Sequence, residues 1–151
     1  MDEHRKLLFI CTGNYYRSRY AELCFNARGG ALAADWRAES RGFRLGPANV
    51  GPIAPCVLER LTARAVPHPP ASRFPLQLHE QDLIGAARII ALDEDEHRPL
   101  ARTLFPPWSG RIAYWRIPDL DRLGSEAALD AIEREVERLI QDLLQSGASA
   151  P

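Results

Sequence analysis

Lysine is nearly missing from this chain: of nineteen basic residues among 151, all but Lys6 are arginine. Charge of one sign is lacking too. The formal net charge is -1, which argues against a general nucleic-acid or membrane-surface partner, so any anion site must be local. No run approaches the ~18 consecutive apolar residues that a membrane span needs, and the N-terminus has no long apolar stretch ahead of a cleavage signal. Cysteines number three, an odd count that makes no disulfide framework and predicts reduced thiols and a cytoplasmic location. The histidines, His4, His68, His79 and His97, are scattered without paired ligand spacing. Asp93, Asp95 and His97 make only a weak metal constellation, and neither metal nor other cofactor is expected.

What remains is an ordinary globular composition, 46% hydrophobic and 26% charged, in a length that predicts one domain over residues 1–151 with 146–151 as a flexible tail. Leu7, Leu8, Phe9 and Ile10 form the continuous apolar run of a buried parallel strand. A helix is predicted over 18–28, with Tyr20, Ala21, Leu23, Cys24 and Ala27 on one stripe and Gly29-Gly30 closing it. A short strand over 36–40 and a turn-rich stretch over 42–55 lead to a helix over 55–65. Pro67, Pro69, Pro70 and Pro75 then keep the chain irregular. Beyond them come a short helix over 79–86, a third buried strand over 87–92, a helix over 94–104 despite Pro99, and a fourth strand over 111–115. Ser125 is the expected N-cap of a last helix whose stripe is Leu129, Ile132, Val136, Leu139, Ile140, Leu143 and Leu144, and Gly147 is its expected end. The alternation predicts an α/β fold: a three-layer sandwich, with a four-stranded parallel sheet and helices on both faces. Ligands of such sheets bind at the carboxyl ends of the strands, where Cys11, Asp93 and Asp119 all fall.

The chemistry concentrates in Cys11-Thr12-Gly13-Asn14-Tyr15-Tyr16-Arg17-Ser18, between the first strand and the first helix. A cysteine there sits at the floor of a loop whose backbone N–H groups point inward, with the positive end of the helix dipole behind it. That environment favours a thiolate. Arg17 lies where the loop turns into the helix, so its planar fork can return over the cysteine and grip two oxygens of a tetrahedral dianion. Gly13 and Asn14 both tolerate left-handed backbone angles. Cys-x5-Arg alone is a weak signal in so arginine-rich a chain; Gly13, Asn14 and Ser18 at fixed offsets, in a strand-loop-helix context, make it a specific one.

This loop, Glu39-Ser40-Arg41-Gly42, Asn49-Val50-Gly51, the run from Ile89 to Glu94, and Pro118-Asp119 come in the order and spacing of one family. Over nearly its whole length the chain resembles the low-molecular-weight protein tyrosine phosphatases. The resemblance implies a hydrolase in which Cys11 forms a cysteinyl-phosphate and Arg17 clamps the phosphoryl oxygens. The amides from Thr12 to Arg17, those of Tyr15 and Tyr16 included, complete the cradle. Asn14 props the loop, Ser18 donates to the thiolate, and Asp119 protonates the leaving oxygen and then activates water. The implied substrate is a phosphorylated protein, phosphotyrosine above all, or a small phosphomonoester, with inorganic phosphate as product; phosphoarginine stays open.

The chain departs from the family at several points. Leu120 follows Asp119 where the family has proline, and Asp121 is the alternative acid. Tyr16 and Arg19 replace a cysteine and a proline. The family's aromatic walls are missing at Ala48, Leu120 and Asp121, so Tyr15 is the candidate replacement wall. Two rival readings remain: a non-catalytic phosphate-binding or regulatory module, and an arsenate reductase. A reductase needs two further cysteines near residues 80–90, where this chain has none, while Cys24 and Cys56 fall on a helix stripe and beside Pro55.

Overall fold

The computed structural model of the protein describes residues 4–29, 33–47, 49, 51–67, 73–118 and 125–149. Four strands, β1 (Arg5–Cys11), β2 (Trp36–Gly42), β3 (Arg88–Ala91) and β4 (Ala113–Tyr114), pair in the order β2-β1-β3-β4, all parallel. The helices are α1 (Arg17–Gly29), α2 (Pro55–Ala63), α3 (Glu80–Ile84), α4 (Glu94–Leu104) and α5 (Ser125–Ser149). Strand β1 is central. Its register sets Cys11 opposite Gly42 on one side and Ile10 opposite Ala91 on the other.

The apolar run of β1 is what places it there, because Leu7, Leu8, Phe9 and Ile10 are all fully buried and only an inner strand covers both faces. Leu7 and Phe9 point into a core shared with Phe25 of α1, Val57 and Leu61 of α2, and Ile132, Val136 and Ile140 of α5. Leu8 and Ile10 point the other way, onto Phe43, Leu78, Leu83 of α3, Ala101 of α4 and Ile112. Helices thus cover both faces, as the sequence predicts. Each aliphatic side chain so buried contributes roughly 1.5–3 kcal/mol.

Three local expectations are corrected. Gly147 does not end the last helix, which runs on to Ser149; one helical glycine costs only about 1 kcal/mol, too little to stop so long a helix. Helix α5 begins at Ser125 itself. The fourth strand is two residues long, because Pro106–Arg111 form a 3-10 helix that takes up Arg111, placed in the strand by the sequence reading. Pro99 lies inside α4 without ending it. Among the described residues no helix is long and apolar enough to cross a membrane.

Candidate active site

Cys11 is the last residue of β1, and α1 begins six positions on, leaving Thr12 to Tyr16 as the loop between them. The carbonyls of Cys11, Thr12 and Tyr15 accept the amides of Phe43, Arg44 and Ala54 at 2.9 Å each. In a trans peptide a carbonyl and the following N–H point opposite ways, so the amides of Thr12, Gly13 and Tyr16 are turned toward the inside of the loop. Outward carbonyls and inward amides, at the head of a 13-residue helix, make an anion cradle.

Asn14 carries the left-handed turn, with φ of 51°. Gly13 tolerates such angles but does not use one; a Cβ there would stand 2.8 Å from Asn49 Nδ2, the far end of a side chain that can shift. Gly42 is the glycine the loop requires, because a Cβ there would meet the Thr12 backbone carbonyl at 2.8 Å. The Asn14 side chain uses all its hydrogen-bonding capacity. Its amide donates to Ser18 Oγ (2.8 Å) and Ser40 Oγ (2.9 Å), and its oxygen accepts from Leu76 N (3.0 Å) and Arg73 Nη1 (3.1 Å). Ser40 donates to the buried Glu22 at 2.5 Å, and Arg73 reaches Glu22 at 3.2 Å. The loop therefore rests on a closed polar network in which a buried carboxylate has a cation beside it.

Ser18 Oγ lies 2.9 Å from Cys11 Sγ. Having accepted the Asn14 amide, the hydroxyl has its hydrogen to give to sulfur. Arg17 is 3% exposed. Its Nη1 donates to the Ile117 carbonyl (2.9 Å) and its Nη2 to Glu96 Oε2 (2.8 Å). The hydroxyl of Thr12 donates to the same Glu96 oxygen. His97, wholly buried, has its Nδ1 accepting the Asp93 amide at 3.0 Å. The ring proton is thereby assigned to Nε2, which faces Thr12 Oγ1 at 3.1 Å and Glu96 Oε2 at 3.3 Å. Burial pushes the Glu96 carboxyl up, but hydrogen bonds from His97, Arg17 and Thr12 outweigh it and hold the group well below the usual carboxylate range. Burial pushes His97 down, against the pull of Glu96, so the ring is neutral near pH 7.

Above the sulfur opens a pocket of about 350 Å³ lined by Tyr15, Tyr16, Arg44, Gly46, Asn49 and Ala54 together with the loop. Tyr15 is half-buried and forms wall; Tyr16 is buried and also belongs to the core. A larger cavity, about 520 Å³, lies at the amino ends of β3 and β4 against α5, remote from the cysteine. Arg19, in α1, is buried with its Nη1 on the Pro52 carbonyl at 2.8 Å, and burial lowers its guanidinium to about 10.

Cys11, Thr12, Gly13, Asn14, Tyr15, Tyr16, Arg17 and Ser18 are thus gathered at one strand end. Asp119, Asp121, Leu120 and Ala48 lie outside the described residues. Asp93 occupies the N-cap of α4 but makes no side-chain cap. Among the described residues no three His, Cys, Asp or Glu side chains cluster as metal ligands. Cys24 is buried at 1% exposure in the core, and burial pushes its thiol up to about 11; Cys56 is half-buried and pushed up for the same reason. Sequence reasoning did not assign roles in the site to Glu96, Arg73, Glu22 or Arg44, and His97 entered only as a metal candidate. Glu96 had a signal, since the first turn of a helix following β3 falls at the same sheet edge as Cys11.

A cysteine at the floor of an amide cradle, on a parallel sheet between two helical layers, defines a cysteine-dependent phosphatase. The match of residues 6–149 to the family model described as low molecular weight phosphotyrosine protein phosphatase makes the particular assignment: the chain belongs to that family. Its substrates are accordingly phosphorylated. No curated protein matches the chain. Among solved structures it is similar to YfkJ from Bacillus subtilis, at 23% identity over 95% of this chain and 96% of that one, with a TM-score of 0.79. It is likewise similar to the low molecular weight protein tyrosine phosphatase of T. tengcongensis, at 24% identity, 91% and 99% coverage and a TM-score of 0.77. The YwlE arginine phosphatase of Geobacillus stearothermophilus has 18% identity, 97% coverage of both chains and a TM-score of 0.79. At these identities the likeness establishes the fold.

Proposed function

We propose that the protein hydrolyses phosphomonoesters, protein phosphotyrosine first among them, through a cysteinyl-phosphate intermediate. The observation that carries the reading is the Ser18 hydroxyl, 2.9 Å from Cys11 Sγ and oriented toward it by Asn14. The Cys11 thiolate attacks phosphorus in line, the bond to the leaving oxygen breaks, and that oxygen takes a proton from Asp119. Asp119 then removes a proton from water, which attacks phosphorus and returns the electron pair to sulfur, releasing inorganic phosphate. Arg17 and the inward amides stabilise the equatorial oxygens in both steps. Sequence position supports Asp119, which follows by two residues Ile117, whose carbonyl is bonded to Arg17. A reduced thiol suits the cytoplasm, and one domain supplies every group named.

The test is turnover in chelator-treated buffer with para-nitrophenyl phosphate, phosphotyrosyl and phosphoseryl peptides, and phosphoarginine. The parent protein is expected to hydrolyse the phenolic esters fastest, and Cys11→Ser to lose turnover while still binding phosphate. Substantial turnover by Cys11→Ser sinks the covalent mechanism, and preference for phosphoarginine reassigns the substrate.

A further inference from the structure

We propose that Glu96 is a positioning residue for the reaction, bracing Arg17 so that the phosphate clamp is set before substrate arrives. The inference rests on the phosphatase reading above. Thr12 directly follows the nucleophile and Arg17 closes the loop, and one oxygen of Glu96 accepts from both: from Arg17 Nη2 at 2.8 Å and from the Thr12 hydroxyl. A single carboxylate oxygen thus ties the two ends of the phosphate loop together from outside it, on a different helix. The Glu96 oxygen is itself fixed, since His97 Nε2, which carries the ring proton, stands 3.3 Å away and the ring is anchored through Nδ1 to the Asp93 amide. The second anchor of Arg17, the Ile117 carbonyl, comes from the strand β4 side. A planar guanidinium held at both terminal nitrogens has its plane defined.

Charge decides what this arrangement serves. A carboxylate beside a dianion site opposes binding of the dianion, so Glu96 does not serve ground-state affinity. Its gain must come where orientation counts most, in the trigonal-bipyramidal transition state whose equatorial oxygens the clamp has to meet in one plane. Loss of the brace therefore acts in two opposite senses on ground-state phosphate, losing orientation and relieving repulsion, but chiefly in one sense on the transition state.

The experiment compares parent, Glu96→Ala and Glu96→Gln in steady-state turnover of para-nitrophenyl phosphate and in inhibition by phosphate and by vanadate, which adopts the five-coordinate geometry. For Glu96→Ala we expect kcat to fall about tenfold or more, and vanadate inhibition to weaken about tenfold, with KM and phosphate inhibition within about threefold of the parent. Glu96→Gln keeps an acceptor without the charge and should fall between the two. Thermal unfolding separates a structural role, which lowers Tm but leaves the ratio of vanadate to phosphate inhibition unmoved. If the alanine variant does not fold, the ratio measured on Glu96→Gln decides. An unchanged ratio with unchanged kcat overturns the proposal. An inactive parent overturns the phosphatase reading instead, and the two failures are distinct.

Discussion

Ser18 and Cys11 meet side chain to side chain at 2.9 Å across seven residues, one at the head of α1 and the other at the end of β1. Since sulfur must leave with a negative charge when water attacks the intermediate, the hydroxyl matters most in that second step. Ser18→Ala removes a hydrogen bond to a charged group, worth about 1.5–3 kcal/mol, and should slow turnover roughly ten- to hundredfold. The first turnover should suffer less, so a burst of para-nitrophenol should appear in rapid mixing. Unchanged steady-state turnover would show that the hydroxyl serves only packing.

The two carboxylates of the acid segment separate by leaving group. Asp119→Asn should cost on the order of a hundredfold with a poorly activated phenyl ester and far less with a strongly activated one, because only the former needs a proton. Asp121→Asn should change little with either. Exchanged phenotypes would move the acid by two residues.

His97 gives the stability a pH dependence whose sign is fixed. Its folded value lies below the ordinary histidine range because of burial, despite the neighbouring Glu96 carboxylate. The groups facing the ring are Thr12, Glu96, the Asp93 amide and Phe43. Below the unfolded value of ~6.5, the unfolded chain takes up a proton that the folded ring refuses, so stability is full above that pH and falls as pH drops through it. Glu96 adds nothing in this window: its stabilisation persists until pH falls below the unfolded carboxyl value of ~4.3. Urea unfolding from pH 7 to 5 should therefore lose less stability for His97→Asn than for the parent. Parallel curves would exclude His97 as the titrating group.

Oxidation should strand Cys11. Tyr16 occupies the place where a neighbouring cysteine could capture a sulfenic acid, and the remaining thiols have raised values through burial, about 11 for Cys24. Prolonged peroxide should add two or three oxygens to Cys11, with poor recovery in dithiothreitol and protection by bound phosphate. Full recovery with a Cys11 disulfide in peptide mass analysis refutes this.

The fold was legible because its signals are local: the apolar run of residues 7–10, the stripe of α5, and the punctuation by glycine and proline. The loop was legible because nucleophile, turn and clamp are consecutive. Its supports were not. Arg17 finds Glu96 and Ile117, and Asn14 finds Arg73 and Leu76, at separations of 59 to 100 residues, where periodicity carries no information. The fourth strand was overdrawn because a short aromatic run beside Gly110 and Arg111 reads the same in a strand or a tight helix.

The bond from Arg17 to the Ile117 carbonyl, spanning 100 positions, bears on how the molecule is made. A ribosome delivers the nucleophile, its serine and its arginine well before their anchors exist, since those of Arg17 follow it by 79 and 100 positions. A nascent chain ending ahead of residue 96 has every element of the loop and neither brace for the clamp. During synthesis the thiol is therefore an unassembled part, and turnover should arise only once both braces and α5, whose Ile132, Val136 and Ile140 complete the core behind the loop, have been made. The reagent lies on one stretch of the chain, and the means of arming it are made only later.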